Sequence, residues 1–126
     1  MGSREFWVVL LVLWMIEIFA LSQIPGTSAR YYDLLYFFER KIAHVVEFFV
    51  LALLAYRTFV SFGVKYKKAL AGMFFLSMFW ALIDEVHQLF IFGREGKLAD
   101  VGIDGIGVLL FLIFLLAWRA YFRIGS

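Results

Sequence analysis

Residues 69–92 read Ala69-Leu70-Ala71-Gly72-Met73-Phe74-Phe75-Leu76-Ser77-Met78-Phe79-Trp80-Ala81-Leu82-Ile83-Asp84-Glu85-Val86-His87-Gln88-Leu89-Phe90-Ile91-Phe92. No charge appears from Ala69 to Ile83; then Asp84, Glu85, His87 and Gln88 arrive almost together. As a helix rising about 1.5 Å per residue, this run crosses a hydrocarbon layer of about 30 Å with length to spare for tilt. Three more segments are similarly apolar, at about 6–22, 42–62 and 101–122. The pattern predicts an all-α membrane protein: an antiparallel bundle of four transmembrane helices in one domain covering 1–126.

Composition points the same way. In this chain of 126 residues, 64% are hydrophobic and sixteen are Phe, more apolar surface than so small a soluble domain can bury. Lipid must cover the remainder. A net charge of +2, with the basic residues scattered at segment ends, argues against a nucleic-acid partner. The lack of Cys excludes disulfides and thiolate chemistry.

Pro25-Gly26 stops the first segment, and Gly63 opens a tight basic turn through Lys65, Lys67 and Lys68. Gly93 to Ala99 forms another short turn. The polar, Tyr-bearing stretch from Gln23 to Arg40 is expected to hold a short segment lying at the interface, where Tyr rings favour headgroup level. A cleaved leader ending at Ala20-Leu21-Ser22 is the competing reading of the first segment. Against it stand a single basic residue, Arg4, and a core interrupted by Glu17 and two Trp.

The polar residues are not scattered. Ser22 and Gln23 close the first span; Lys41, His44 and Glu47 open the second. Asp84, Glu85, His87 and Gln88 approach the end of the third, and Asp100 and Asp104 open the fourth, just after Arg94. In an antiparallel bundle those four ends share one membrane face. Ionisable groups are costly in hydrocarbon, so their convergence marks a candidate site. Arg4, Arg57, Lys65, Lys67, Lys68, Arg119 and Arg123 gather on the opposite face, which by the positive-inside rule is expected to be cytoplasmic, with both termini.

Spacing refines the cluster. Lys41, His44 and Glu47 recur every third residue and share a helix face; Glu47 falls about 9 Å deeper than Lys41. Asp84, His87 and Gln88 share a face of the third span, while Glu85 is turned by about 100°. Asp100 and Asp104 are one turn apart, and Gly107 continues their face. Three chemistries fit. Carboxylates and His on facing helices hold metals in bundles, and a divalent cation on His44, Glu47, Asp84 and His87 is one reading. General acid–base work by His44, Glu47, Asp84, Glu85 and His87 is another. In the third, Lys41 and Arg94 grip an anionic group, with Ser22, Gln23, Gln88, Asp100 and Asp104 completing a binding site. The plainer account is that these groups neutralise one another and hold short helices together. Gly102, Gly105 and Gly107 read as small residues at a close helix approach, and Glu17 is expected to pair with a basic group of the cluster or to carry a proton.

The motifs resemble a known family. Lys41-Ile42-Ala43-His44-Val45-Val46-Glu47 resembles the K-x-x-H-x-x-E/Y start of the second span in VanZ-like membrane proteins. Asp84-Glu85-Val86-His87-Gln88-Leu89-Phe90 resembles their D-E-x-H-Q-x-F signature. Gly93-Arg94 followed by Asp100, Asp104 and Gly107 is similar to the G-R … D-x-x-x-N/D-x-x-G pattern of the last span, and Ser22-Gln23 with Pro25 to the S-x-x-P ending of the first. Glu47 stands where Tyr is frequent, and Gly102 adds flexibility to the start of the last span. The resemblance implies a multi-pass protein of a bacterial or archaeal cytoplasmic membrane, in a family whose namesake is linked to resistance to teicoplanin-type glycopeptides. Two functions are then expected to compete: a hydrolase or transferase acting on a lipid headgroup or lipid-linked envelope precursor at the outer leaflet, and a non-enzymatic module binding envelope lipid, glycopeptide or a partner protein. A proton-coupled transporter fits less well, because the inner halves of the spans lack ionisable residues to complete a path.

Overall fold

A computed structural model describes residues 3–23, 34–91 and 98–124. They form four helices, α1 (Ser3–Ser22), α2 (Leu34–Ser61), α3 (Tyr66–Gln88) and α4 (Leu98–Ile124). Each is long and apolar enough to cross a membrane, and the chain is an integral, multi-pass membrane protein. Large apolar side chains such as Leu13, Ile16, Phe75, Phe79 and Ile113 face outward. A helix bundle in lipid does not need to hide them, since hydrocarbon takes the place of a second layer.

The helices alternate in direction. At one end Arg4 Nε donates to the carbonyl of Ser61 (3.1 Å), and the Arg119 guanidinium lies 3.8 Å from the centre of the Tyr66 ring. At the other end Gln88 reaches Ser22, and Lys41 pairs with Asp100. α2 is central, packing against all three other helices, and α3 also touches all three. Among the described residues α1 and α4 make no packing contact with each other. The bundle is thus two triangles, α1–α2–α3 and α2–α3–α4, sharing the α2–α3 seam.

The core lies on stripes one turn apart. Phe48, Leu51, Ala52 and Ala55 supply it from α2, Met73 and Ala81 from α3, Val108 and Phe111 from α4, and Leu11 and Ile18 from α1. These spacings of three and four residues keep the buried side chains on one helical face. Towards the polar end the same stripes continue as His44 on α2, Asp84 and Gln88 on α3, and Asp104 on α4. The candidate site is therefore the end of the core, built from polar residues where apolar ones would otherwise stand.

Two glycines set the geometry. Gly63, at φ 78°, ends α2: its N–H reaches Val60 O (2.9 Å), and the Val64 N–H reaches Phe59 O (3.1 Å). This paired capping needs a left-handed residue, which glycine adopts without penalty. Gly107 lets α4 cross directly on the backbone of α2, because a Cβ there would fall 2.3 Å from Val45 O. Gly105 meets only the flexible Met78 side chain, and Gly102 faces open space. The close approach expected of all three glycines rests on Gly107.

Several boundaries differ from the sequence expectation, among them the starts of α1 at Ser3 and α3 at Tyr66. α2 begins at Leu34 rather than near residue 42, because residues 34–41 contain no Gly or Pro, and Glu39, Arg40 and Lys41 are good helix formers that carry the helix back through Leu34-Leu35-Tyr36-Phe37-Phe38. Of the stretch from Gln23 to Arg40 expected at the interface, residues 34–40 belong to α2, and 24–33 lie outside the described residues. α3 ends at Gln88 rather than Phe92, in a tightened turn where Leu89, Phe90 and Ile91 each donate to the carbonyl three residues back. α4 starts at Leu98, slightly earlier than the apolar run suggests.

Candidate functional site

The polar end is organised around His44. Its Nδ1 lies 3.0 Å from Asp104 Oδ1 and 3.9 Å from Glu47 Oε2. The Asp104 pair joins α2 to α4, and the depth of Asp104 follows from the Gly107 crossing one turn below. Asp84 comes in from α3, and one donor atom from each of His44, Asp84 and Asp104 lies within 4.8 Å of the other two. Both aspartates are 0% exposed. Each also carries an oxygen without a hydrogen-bond partner among the described residues, Oδ1 of Asp84 and Oδ2 of Asp104. Buried carboxylate oxygens without partners are costly, so something beyond ordinary packing keeps them there.

A second arm runs from α3 to α1. Gln88 Nε2 donates to Asp84 Oδ2 (3.1 Å) and lies 3.4 Å from Ser22 Oγ. Gln88 and Ser22 are both buried. Together they hold one side of the Asp84 carboxylate and leave the other facing His44 and Asp104. At the rim Lys41 pairs with Asp100, both side chains keeping partial exposure.

The remaining residues singled out from the sequence are less tightly drawn in. His87 turns towards α1 and stacks on Phe19, with ring centroids 3.7 Å apart. It therefore stands outside the three-residue donor group that forms around His44, where Asp104 contributes in place of the Glu47 and His87 of the expected metal set. The reason is helical phase: three residues on from Asp84 is a rotation of about 60° away from it, enough to point the imidazole at the neighbouring helix. Glu47 is half-buried beside His44, and Glu85 is buried on α3 one position from Asp84. Gln23 is exposed in the turn after α1, its N–H bonded to Ala20 O (3.1 Å). Arg94 lies outside the described residues. Glu17, expected to reach a basic group of the cluster, is on the exposed face of α1.

Two contacts were not anticipated. Trp14 Nε1 donates to the backbone carbonyl of Glu47 (2.9 Å), fixing α1 on α2 beneath the cluster. Phe19 covers His87. Phe19 precedes Ser22 by three residues, so its place on the Ser22 face was legible in the helical spacing.

A family model described as VanZ/LLP1 matches residues 6–119. No curated protein and no solved structure matches the chain.

Proposed function

The chain belongs to the VanZ/LLP1 family, and from that premise we propose that its polar end acts on a lipid headgroup or a lipid-linked envelope precursor at the outer leaflet. The observation that carries this reading is the meeting of His44, Asp84 and Asp104, from three helices, at the end of an otherwise apolar core. An acid–base group needs an oriented imidazole. With a proton on Nδ1, His44 donates to Asp104 Oδ1, which fixes the ring and leaves Nε2 free to take a proton from a substrate hydroxyl or water. Lys41, half-exposed at the rim, supplies a cation for an anionic headgroup, with Asp100 as its partner until the headgroup arrives. Glu47, Asp84, Glu85 and His87 complete the reacting set in this reading, and Ser22, Gln23, Gln88, Arg94 and Asp100 the binding set. Processing such a precursor would alter susceptibility to teicoplanin-type glycopeptides.

A second reading keeps the same site without a reaction: a module that binds envelope lipid, glycopeptide or a partner protein. The full burial of Asp84 and Asp104 favours it, because a group that exchanges protons with a substrate must be reached by it. One experiment separates the two. Wild type, Asp84→Asn and His44→Gln are expressed in a bacterium lacking the chain, and lipid-linked precursors are quantified by mass spectrometry beside glycopeptide susceptibility. Catalysis predicts a changed precursor pool that either variant abolishes while the protein still folds. An unchanged pool, with graded losses of glycopeptide resistance, gives the site to binding.

A further inference from the structure

We propose that His44, Asp84 and Asp104 form the binding site of a single divalent cation of the kind that accepts both imidazole and carboxylate, Mn²⁺ or Zn²⁺. The inference goes beyond the reading above: an ion here takes His44 with Nδ1 unprotonated and replaces the Nδ1–H···Asp104 bond, so His44 would hold the metal rather than act as the base, and the geometry does not require catalysis.

Four observations carry it. The three donors come from three helices and lie within 4.8 Å of one another. Around a cation with ligands at about 2.1 Å, neighbouring ligand atoms sit about 3 Å apart and opposite ones about 4.2 Å. The 3.0 Å between His44 Nδ1 and Asp104 Oδ1 matches a neighbouring pair, and the remaining separations, within 4.8 Å, would shorten on binding. Next, the aspartates each present an oxygen with no partner among the described residues, although both residues are fully buried. Asp84 is informative here: Gln88 holds Oδ2, which orients the carboxylate and leaves Oδ1 for an ion, the outer support that metal-bound carboxylates commonly have. Charge points the same way. Two buried carboxylates, with Glu47 beside them, face one imidazole, while Lys41 is engaged by Asp100 at the rim. A dication balances that excess in a region of low dielectric. Last, the donor set of one nitrogen and carboxylate oxygens suits Mn²⁺ and Zn²⁺ better than soft metals that prefer thiolates.

The test uses the purified full chain in nanodiscs, stripped with a chelator and then equilibrated with Mn²⁺ or Zn²⁺. Bound metal per chain is measured by mass spectrometry, melting temperature by unfolding, and Mn²⁺ coordination by electron spin-echo spectroscopy. We expect one equivalent, a raised melting temperature, and coupling to a single imidazole nitrogen. His44→Gln, Asp84→Asn and Asp104→Asn should each weaken binding at least about 10-fold, since even the loss of an outer partner costs that much. His87→Gln should retain one equivalent. Folded wild type without stoichiometric metal overturns the proposal, as does coupling to two imidazole nitrogens or unchanged affinity in a folded Asp104→Asn variant. The wild-type measurements decide even if a variant fails to fold. Absence of metal together with loss of lipid processing in Asp84→Asn would defeat this inference and leave the proposed function standing. Stoichiometric metal in the wild type, weakened in the three ligand variants, with full processing in all of them would do the reverse.

Discussion

The imidazole of His87 lies face to face on the ring of Phe19, with centroids 3.7 Å apart and planes inclined by 17°. The stack fastens the end of α3 to the end of α1 and turns His87 away from the donors that surround His44. It also makes the role of His87 separable from folding. Stacked rings contribute about 0.5–1.5 kcal/mol beyond area burial, and Phe in place of His preserves that term. His87→Phe is therefore expected to melt within a few degrees of wild type while lipid processing falls. Full activity in the folded variant would remove His87 from the reacting groups.

Gly107 and Gly102 give a matched pair of tests. A methyl at Gly107 would sit 2.3 Å from Val45 O, and backbone on both sides leaves no flexible atom to yield. Gly107→Ala should cost about 1–3 kcal/mol or more through overpacking, and should push Asp104 away from His44. Gly102→Ala meets nothing within 4 Å and exchanges glycine for a better helix former, so its stability should match or exceed wild type. Thermal melting of the two variants in one detergent checks both; equal melting temperatures would contradict the direct α2–α4 crossing.

Lys41 and Asp100 form a rim pair with side-chain exposures of 28% and 18%. Pairs that keep contact with water contribute about 1 kcal/mol or less, so Asp100→Asn should leave folding almost intact. It should also release Lys41. Binding of vesicles carrying anionic headgroups to the reconstituted protein is then expected to tighten, and Lys41→Gln to weaken it. No change in either variant would take Lys41 out of headgroup recognition.

The end opposite the site carries Arg4, Arg57 and Arg119, each with its guanidinium over an aromatic ring: Phe62, Trp7 and Tyr66 respectively. Such pairing steadies basic side chains at the membrane surface. With Lys65, Lys67 and Lys68 exposed beside them, this end is expected to be cytoplasmic. Reporter fusions at Ser126 and near Lys97 should fall on opposite sides, the first inside. A C-terminus outside the cell would move the whole site to the cytoplasmic leaflet.

Much of the fold was legible because charge-free runs of this length have few alternatives. Helix ends were less so: hydropathy marks where lipid ends, whereas α2 extends back to Leu34 simply because nothing in residues 34–41 stops it. The membership of the polar end was legible too, since antiparallel spans bring Ser22, His44, Asp84 and Asp104 to one level. What the spacing left open was rotation. His87 and Gln88 both sit near Asp84 on a helical wheel, yet one faces Phe19 and the other holds Asp84 itself. Which of the two turns inward is decided by the neighbouring helix, through ring stacking and the Ser22 hydroxyl, and neither partner is visible in the segment's own periodicity.

The shared α2–α3 seam has a mechanical consequence. Because α1 and α4 make no packing contact among the described residues, α1 can swing on its side of the seam without colliding with α4. Its displacement would reach Asp104 chiefly as a relay: Ser22 pulls Gln88, Gln88 reorients Asp84, and Asp84 changes what His44 and Asp104 face. With most of its flank against lipid, α1 is the helix on which the surrounding bilayer has the largest grip. The position of α1 is thus linked to Asp104 through the orientation of one carboxylate, that of Asp84.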